Sequence, residues 1–357
     1  MQDRRPKSED VAALAGVSRT TVSFVLNDRP GAQISPATRE RVIAAAASLG
    51  YQPHAAARGL AAGRTHTIGL VLRHSPEQVA EDALLAETLR GLSEAARVEG
   101  YRVLVEPIAP SDGPYSGLIR SKRTDGLIVS GPRTDDREIR TLWSSRAAVV
   151  IQGTLEGVEL PSVDVDNVGA ARGAVEHLIA LGHRTIGLIT NAPLAYTAAA
   201  DRLAGYRAAL AAASIPVPDG AVEEAAFDAA SGRRAMAALL AASPHLTAVF
   251  VASDVVALGA IAAIREAGLR VQGDISVVGF DDIPLAAYFD PPLTTVHVPA
   301  YDLGRTAGTA LLDRIHGRDA TSRTVLPTDL VIRSSTAPPN RFRGRSRDRP
   351  AGEPGLE

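Results

Sequence analysis

A six-residue apolar run, Thr67-Ile68-Gly69-Leu70-Val71-Leu72, returns almost unchanged 118 residues later as Thr185-Ile186-Gly187-Leu188-Ile189-Thr190. A second run, Asp125-Gly126-Leu127-Ile128-Val129-Ser130, has its counterpart in Thr247-Ala248-Val249-Phe250-Val251-Ala252-Ser253. These strands are continuously apolar, so they predict strands buried on both faces. The intervening stretches 84–99, 169–181, 202–213, 231–242 and 255–267 are amphipathic at helical spacing. Apolar strands alternating with amphipathic helices specify parallel sheets covered on both sides. The recurrence specifies two of them, hence an α/β body of two lobes, each a doubly wound parallel sheet. Aromatic residues make up 4% of the chain, which leaves Val, Leu, Ile and Ala to build the core.

Open parallel sheets bind ligands beyond the carboxyl ends of their strands. That rule nominates Leu72-Arg73, Ser130, Ile151-Gln152, Thr190-Asn191, Ser253-Asp254 and Phe280-Asp281 as the lining of a cleft between the lobes. Arg73 has two readings: it pairs with a cleft carboxylate, Asp281 being the natural candidate, or it contacts the ligand. Asp254 and Asp282 are balanced between ligand contact and bracing of strand-end turns. Nothing points to catalysis. The eight histidines are scattered, and His177 and His183 lack metal-ligand spacing. Phosphate-loop and nucleophile-elbow motifs are absent, and zero cysteines exclude disulfides and thiolate metal sites. The expectation is a non-enzyme with no metal and no cofactor. The start, MQDRRPKSED, has no apolar signal region, and no run is long enough to span a bilayer. A cytoplasmic protein without membrane contact is expected.

Charge is uneven. Residues 1–65 hold nine Lys/Arg against five Asp/Glu, a net +4, while the remainder holds 29 against 35, a net −6. A basic head on an acidic body suits nucleic-acid contact at one end. Within the head, Ser8 predicts a helix cap, Gly16 a helix stop and Ser18 the cap of a second helix from Arg19 to about Leu26. Two short helices about a Gly-containing turn form a helix-turn-helix. Ser35-Pro36 starts a third helix, with Val42, Ile43, Ala46 and Leu49 as its apolar stripe.

The run Val11-Ala12-Ala13-Leu14-Ala15-Gly16-Val17-Ser18-Arg19-Thr20-Thr21-Val22-Ser23 resembles the DNA-binding signature of the lactose/galactose repressor family, as do Ser35-Pro36-Ala37-Thr38-Arg39-Glu40-Arg41-Val42 and Leu49-Gly50-Tyr51-Gln52-Pro53. The likeness continues through Val175–His183, Asp201–Tyr206, Val278–Pro284 and Pro291–Val296, the last expected to be a crossover near the lobe hinge. The resemblance implies a small all-α helix-turn-helix head on a periplasmic-binding-protein-like body. Its domains are expected at 1–52 (head), 53–64 (hinge helix, with a flexible linker as the alternative) and 65–336 (effector binding and dimerisation), followed by a disordered tail, 337–357. The lobes are expected at 65–164 plus 295–336, and at 165–294.

Carried over residue by residue, the resemblance places Arg19, Thr20 and Phe24 on base edges, Phe24 departing from the usual polar residue. Ser18, Thr21 and Ser23 serve as caps or phosphate contacts, and Arg39 and Arg58 face phosphates. Ala57 and Leu60 belong to the hinge, where Leu60 wedges into the minor groove. Arg202 and Asp281 match effector contacts, either as ligands to hydroxyls or as an ion pair holding the lobes, and Phe227 matches an aromatic that packs on the effector. Ser253 stands where relatives carry asparagine. Gln152, Asn191, Tyr196, Asp254 and Arg73 complete the expected effector set. The implied function is a homodimeric repressor released from a pseudo-palindromic double-stranded operator by a small sugar. The alternatives are a corepressor-dependent regulator and a sugar-binding module with no DNA role. Charge balance among Arg73, Arg202, Asp281 and Asp254 favours a neutral sugar.

Overall fold

The computed structural model describes residues 6–27, 32–51, 64–109, 111–112, 114–145, 147–319 and 321–340, and the chain divides into two compact units, 1–66 and 67–357. In the first unit, helices α1 (Ser8–Ala15), α2 (Arg19–Leu26) and α3 (Pro36–Ser48) close over a small core containing Val11, Ala15, Val22, Val25 and Val42. Helix α1 starts against Lys7 rather than Ser8, because the Asp10 carboxylate accepts the Lys7 backbone N–H at 2.7 Å. Gly16 ends it at φ 66°, a conformation that costs glycine no Cβ clash. Ser18 and Ser35 cap the next two helices, accepting from the N–H of Thr21 and Thr38. The expected stripe of α3 is off by one side chain. Val42, Ala45 and Ala46 are buried while Ile43 is 51% exposed, because positions i, i+3 and i+4 share a face and i+1 does not.

The second unit holds two six-stranded sheets. The first contains β1 (Thr67–Leu72), β2 (Arg102–Pro107), β3 (Gly126–Ser130), β4 (Val149–Gln152), β5 (Ser162–Val165) and β11 (Arg323–Leu326), in the order β11-β5-β4-β3-β1-β2. The second contains β6 (Ile186–Ile189), β7 (Val222–Glu223), β8 (Ala248–Val251), β9 (Ser276–Asp281), β10 (Thr294–His297) and β12 (Asp329–Val331), in the order β12-β10-β9-β8-β6-β7. The two orders superpose strand for strand, as the sequence repeat requires, although β12 runs antiparallel to β10 whereas β11 runs parallel to β5. Around the first sheet lie α4 (Pro76–Glu81), α5 (Leu85–Val98), α6 (Gly117–Arg120) and α7 (Arg137–Ser144). Around the second lie α8 (Asn167–Ala180), α9 (Thr197–Ala212), α10 (Ala229–Ala242) and α11 (Asp254–Glu266). Successive strand residues enter opposite cores: Leu70 and Ile128 lie in one cluster, Val71 and Val129 in another. This is why the strands read as unbroken apolar runs. Among the described residues no helix is long and apolar enough to cross a membrane.

The chain crosses between lobes three times: after Val165, between His297 and Ala300, and between Leu326 and Asp329. Helix α12 (Ala300–Ile315) and β11 return to the first lobe, and α12 packs on α5 and behind β3, β4 and β5. The expected division therefore holds for α12 and β11 and fails at the two flanks, 295–297 and 329–336. Strand β10 stays in the second lobe, because Thr294 to His297 pair in parallel with Val278 to Asp281, and β12 then pairs with β10. The segment Pro291–Val296 is accordingly an internal turn and strand of the second lobe, not a crossover. Residues 334–337 are held there too: Ser335 Oγ donates to Val277 O at 2.6 Å, and His183 Nε2 lies 2.8 Å from Ala337 O. Ala337, expected to open a disordered tail, is thus tied into the fold, and 341–357 fall outside the described residues.

Candidate functional site

In the head, Arg19 and Thr20 form the first turn of α2 and both are exposed. Arg19 meets Glu9 at 2.8 Å with 65% of its side chain exposed, a surface pair weak enough to exchange for another acceptor. Thr21 Oγ1 lies 2.9 Å from Ser18 Oγ, and Ser23 Oγ accepts from Asn27 Nδ2 at 3.1 Å. Phe24 and Arg39 are half-buried. Ala57, Arg58 and Leu60 lie outside the described residues.

In the body, a cleft opens between the carboxyl ends of the two sheets. Gln152, Asn191, Tyr196, Arg202, Phe227, Ser253 and Asp281 all line it, together with His74, Asp82, Asp164, Asn167 and Thr197. Arg202 comes from α9. Its Nε donates to Asn167 Oδ1 at 2.9 Å and its Nη1 to Ala252 O at 2.6 Å, and the guanidinium sits 3.7 Å above the Phe280 ring. Asp281 Oδ1 is 3.8 Å away. Burial depresses the Arg202 pKa, and Asp281 and Asp164 oppose that shift. Burial raises Asp281 to about 6, against the pull of Arg202 and a hydrogen bond from Ser253. Asp164 rises to about 6 for the same reason, while accepting from Val165 N and Asn167 Nδ2. Asp82, from the opposite lobe, is also raised by burial and adds repulsion at Asp281. The Arg202 guanidinium thus lies in the field of four carboxylates, Asp281, Asp164, Asp201 and Asp254.

The end of β9 is strained to aim these groups. Asp281 and Asp282 both have positive φ, 114° and 56°, and such strain concentrates at sites whose surroundings enforce it. The turn separates their roles: Asp281 faces the cleft, while Asp282 accepts from Arg333 Nη2 at 2.7 Å and lies 3.1 Å from His297 Nδ1. The opposite wall is aromatic. His74, from the first lobe, lies 4.3 Å from Phe227 and 5.8 Å from Tyr196, ring centre to ring centre. Tyr196 Oη donates across the lobes to Arg73 O at 2.6 Å, and Thr134 N and Thr197 N donate to Ala195 O and Pro132 O across the same boundary. Three buried polar atoms here have no protein partner: both ring nitrogens of His74 and Asn191 Oδ1. A buried polar atom left unpaired is costly, so unpaired atoms facing a cleft mark where a polar ligand completes the structure.

Two expected contacts do not reach the cleft. Arg73 follows Val71 on the strand face turned away from it, where its Nε pairs with Asp136 at 3.1 Å, Nη1 donates to Ile108 O and the guanidinium covers Tyr115. It does not meet Asp281. Strand alternation brings the next residue, His74, into the cleft instead. Asp254 is fully buried and acts as a brace, accepting from Thr295 Oγ1 at 2.6 Å and Ile283 N at 3.0 Å. It occupies the space over Gly279, where a Cβ would lie 2.1 Å from its Oδ1. The strand-end rule, applied one residue further at β1 and extended to β5, reaches His74 and Asp164. Asp82 sits in the turn between α4 and α5 and has no comparable sequence signal. Among the described residues no group of three or more His, Asp or Glu is arranged to hold a metal ion.

Comparison with known proteins places these features together. Residues 9–54 match the family model described as bacterial regulatory proteins, lacI family, and 175–336 match a periplasmic binding protein-like domain. The chain is 37% identical over 338 residues to the HTH-type transcriptional regulator CelR of Thermobifida fusca, covering 93% of this chain and 98% of that protein. It is 35% identical to the HTH-type transcriptional repressor CytR of Escherichia coli, covering 94% and 97%. Among solved structures, the lac repressor dimer bound to operator and the anti-inducer ONPF aligns with TM-score 0.81 at 32% identity, over 94% of this chain and all of that one. A CelR–cellobiose complex aligns with TM-score 0.71 at 35% identity, over 93% and all of that chain.

Proposed function

The chain belongs to the lacI family of bacterial regulatory proteins, and from that premise we propose that it is a dimeric repressor whose hold on a pseudo-palindromic operator is set by a neutral sugar in the interlobe cleft. It is a DNA-binding transcription regulator; the effector, the dimer and the residue roles are the proposal. The observation that carries the effector is the chemistry of the cleft wall. Arg202 is already matched by Asp281 and Asp164, and Asp82 adds further negative charge. An anionic effector would meet an excess of carboxylates. A neutral polyol instead supplies hydroxyls that both donate and accept, and its apolar ring face suits Phe227 and Tyr196. The CelR–cellobiose complex supports the same class.

The dimer reading rests on the second lobe. Leu258 on α11, and Leu285 and Tyr288 on the 3-10 helix Pro284–Tyr288, are 48%, 62% and 84% exposed on neighbouring elements that share one core. Large exposed apolar side chains on elements that share a core suit contact with a second copy. The lac repressor relative is a dimer on its operator. In the head, Arg19, Thr20 and Phe24 read bases, and Ser18, Thr21, Ser23 and Arg39 hold phosphates. Coupling needs only that the sugar bind the DNA-released state more tightly than the DNA-bound state. The test is fluorescence anisotropy of the full chain on DNA from its own upstream region, with a panel of neutral sugars, uronates and sugar phosphates. Release by neutral sugars alone supports the proposal. Release by acidic sugars alone refutes the neutral effector, and failure to bind the DNA in any condition refutes the operator.

A further inference from the structure

Among the cleft residues outside the expected set, His74 stands apart. His74 is 9% exposed, and neither ring nitrogen has a protein partner. Apart from Asn191 Oδ1, the polar groups around it have partners: Arg202 donates to Asn167 and Ala252, Asp164 accepts from Val165 and Asn167, and Tyr196 donates to Arg73. No carboxylate pairs with His74. We propose that His74 determines effector specificity, reading two hydroxyls of a neutral sugar, one with a nitrogen that donates and one with a nitrogen that accepts.

The imidazole is held for this task from both sides of the cleft. Phe227 and Tyr196, from the second lobe, fix the ring by contacts at 4.3 and 5.8 Å. Gly131 leaves the space beside Nε2 unfilled, since a Cβ there would sit 3.3 Å from that nitrogen and 3.6 Å from the Tyr196 ring; both ring nitrogens are covered in this structure, so a hydroxyl reaches them as the cleft adjusts around the sugar. Burial and the adjacent Arg73 guanidinium lower the His74 pKa to about 4, so at neutral pH the ring carries one N–H and one lone pair. A neutral imidazole therefore presents a donor and an acceptor at fixed separation and angle. A pair of sugar hydroxyls matches that arrangement. A sugar in which either hydroxyl is missing leaves a buried nitrogen unpaired, and sites of this kind discriminate strongly.

The inference rests on the neutral-sugar reading, and the experiment separates the two. The full chain, His74→Phe and His74→Gln are titrated calorimetrically with neutral mono- and disaccharides and then with single-deoxy analogues of the tightest binder. Wild type is expected to lose about 10- to 100-fold in affinity for two particular deoxy analogues. His74→Phe, which keeps ring packing, is expected to bind the parent sugar that much more weakly and to lose its preference over those two analogues. His74→Gln, which keeps a donor and an acceptor, recovers part of the affinity. Should His74→Phe not fold, nitrogen NMR of histidine-labelled wild type decides: both ring resonances of His74 move on sugar saturation, and unmoved resonances overturn the proposal. Wild-type affinity for the parent sugar in His74→Phe also overturns it and leaves the neutral-sugar reading standing. Binding of acidic or phosphorylated sugars alone overturns both.

Discussion

His74 offers a measurement that needs no ligand. Its pKa in the folded chain is about 4, against 6.5 unperturbed, with burial the larger cause and Arg73 the smaller. At about pH 5 the unfolded chain has therefore protonated this residue and the folded chain has not. The stability contributed by the neutral ring is fully present above pH 6.5 and is lost as pH falls from there towards 4. Between pH 7 and pH 5 the loss is about 1.36 kcal/mol for each of roughly 1.5 pH units, or ~2 kcal/mol. Asp164 and Asp281 work in the opposite sense. Their raised pKa values make the fold gain stability as pH falls through 6 towards 4, so the wild-type profile alone does not isolate the histidine. The difference between two profiles does. Urea unfolding of wild type and His74→Phe is followed by fluorescence of Trp143, the one tryptophan of the chain, which lies in α7 of the same lobe. Whatever the substitution costs at pH 7, the variant is expected to lose ~2 kcal/mol less than wild type on going to pH 5. Equal losses for the two proteins would refute a buried neutral imidazole at this position.

Arg202→Met removes the cation that offsets Asp281 and Asp164, and should destabilise the body by about 3–5 kcal/mol at pH 7 while abolishing sugar binding; a urea midpoint within error of wild type would contradict the pairing. Arg19→Ala should relax base preference at one position per half-site at a cost of about 1–3 kcal/mol, read by competition between operator variants, and uniform weakening on all sequences would reassign Arg19 to phosphate. Leu285→Asp with Tyr288→Ser should shift the protein from dimer to monomer in sedimentation velocity, and an unchanged dimer would move the interface elsewhere.

The repeat of Thr67–Leu72 at 118 residues carried the architecture, because strands buried on both faces leave a signal that does not depend on their neighbours. Strand ends carried much of the site: Gln152, Asn191, Ser253 and Asp281 all reach the cleft as topology demands. What remained hidden depended on single-residue phase. Arg73 and His74 are adjacent at the end of β1, and only the side to which Val71 points decides which of them enters the cleft. Asp254 reads like Asp281 in sequence, yet the space over Gly279 and the hydroxyl of Thr295 absorb it. The lobe boundary failed for a different reason. Strands β10 and β12 acquire their place from pairing with β9, and pairing partners distant in sequence leave no local mark on either segment.

The return of the chain to both sheets also governs how the body can be made. Synthesis delivers residues in order, and many proteins complete one domain while the next is still emerging. Here that economy is denied. The first lobe lacks the helix behind its central strands and the strand at one edge until α12 and β11 emerge, after the second lobe's first five strands are already out. The second lobe in turn waits for β12 and for Ser335 and Ala337 to bind Val277 and Ser276. Neither half is finished before the other, so the nascent protein carries two sheets that each lack their last strand until β11 and β12 emerge within a few residues of each other.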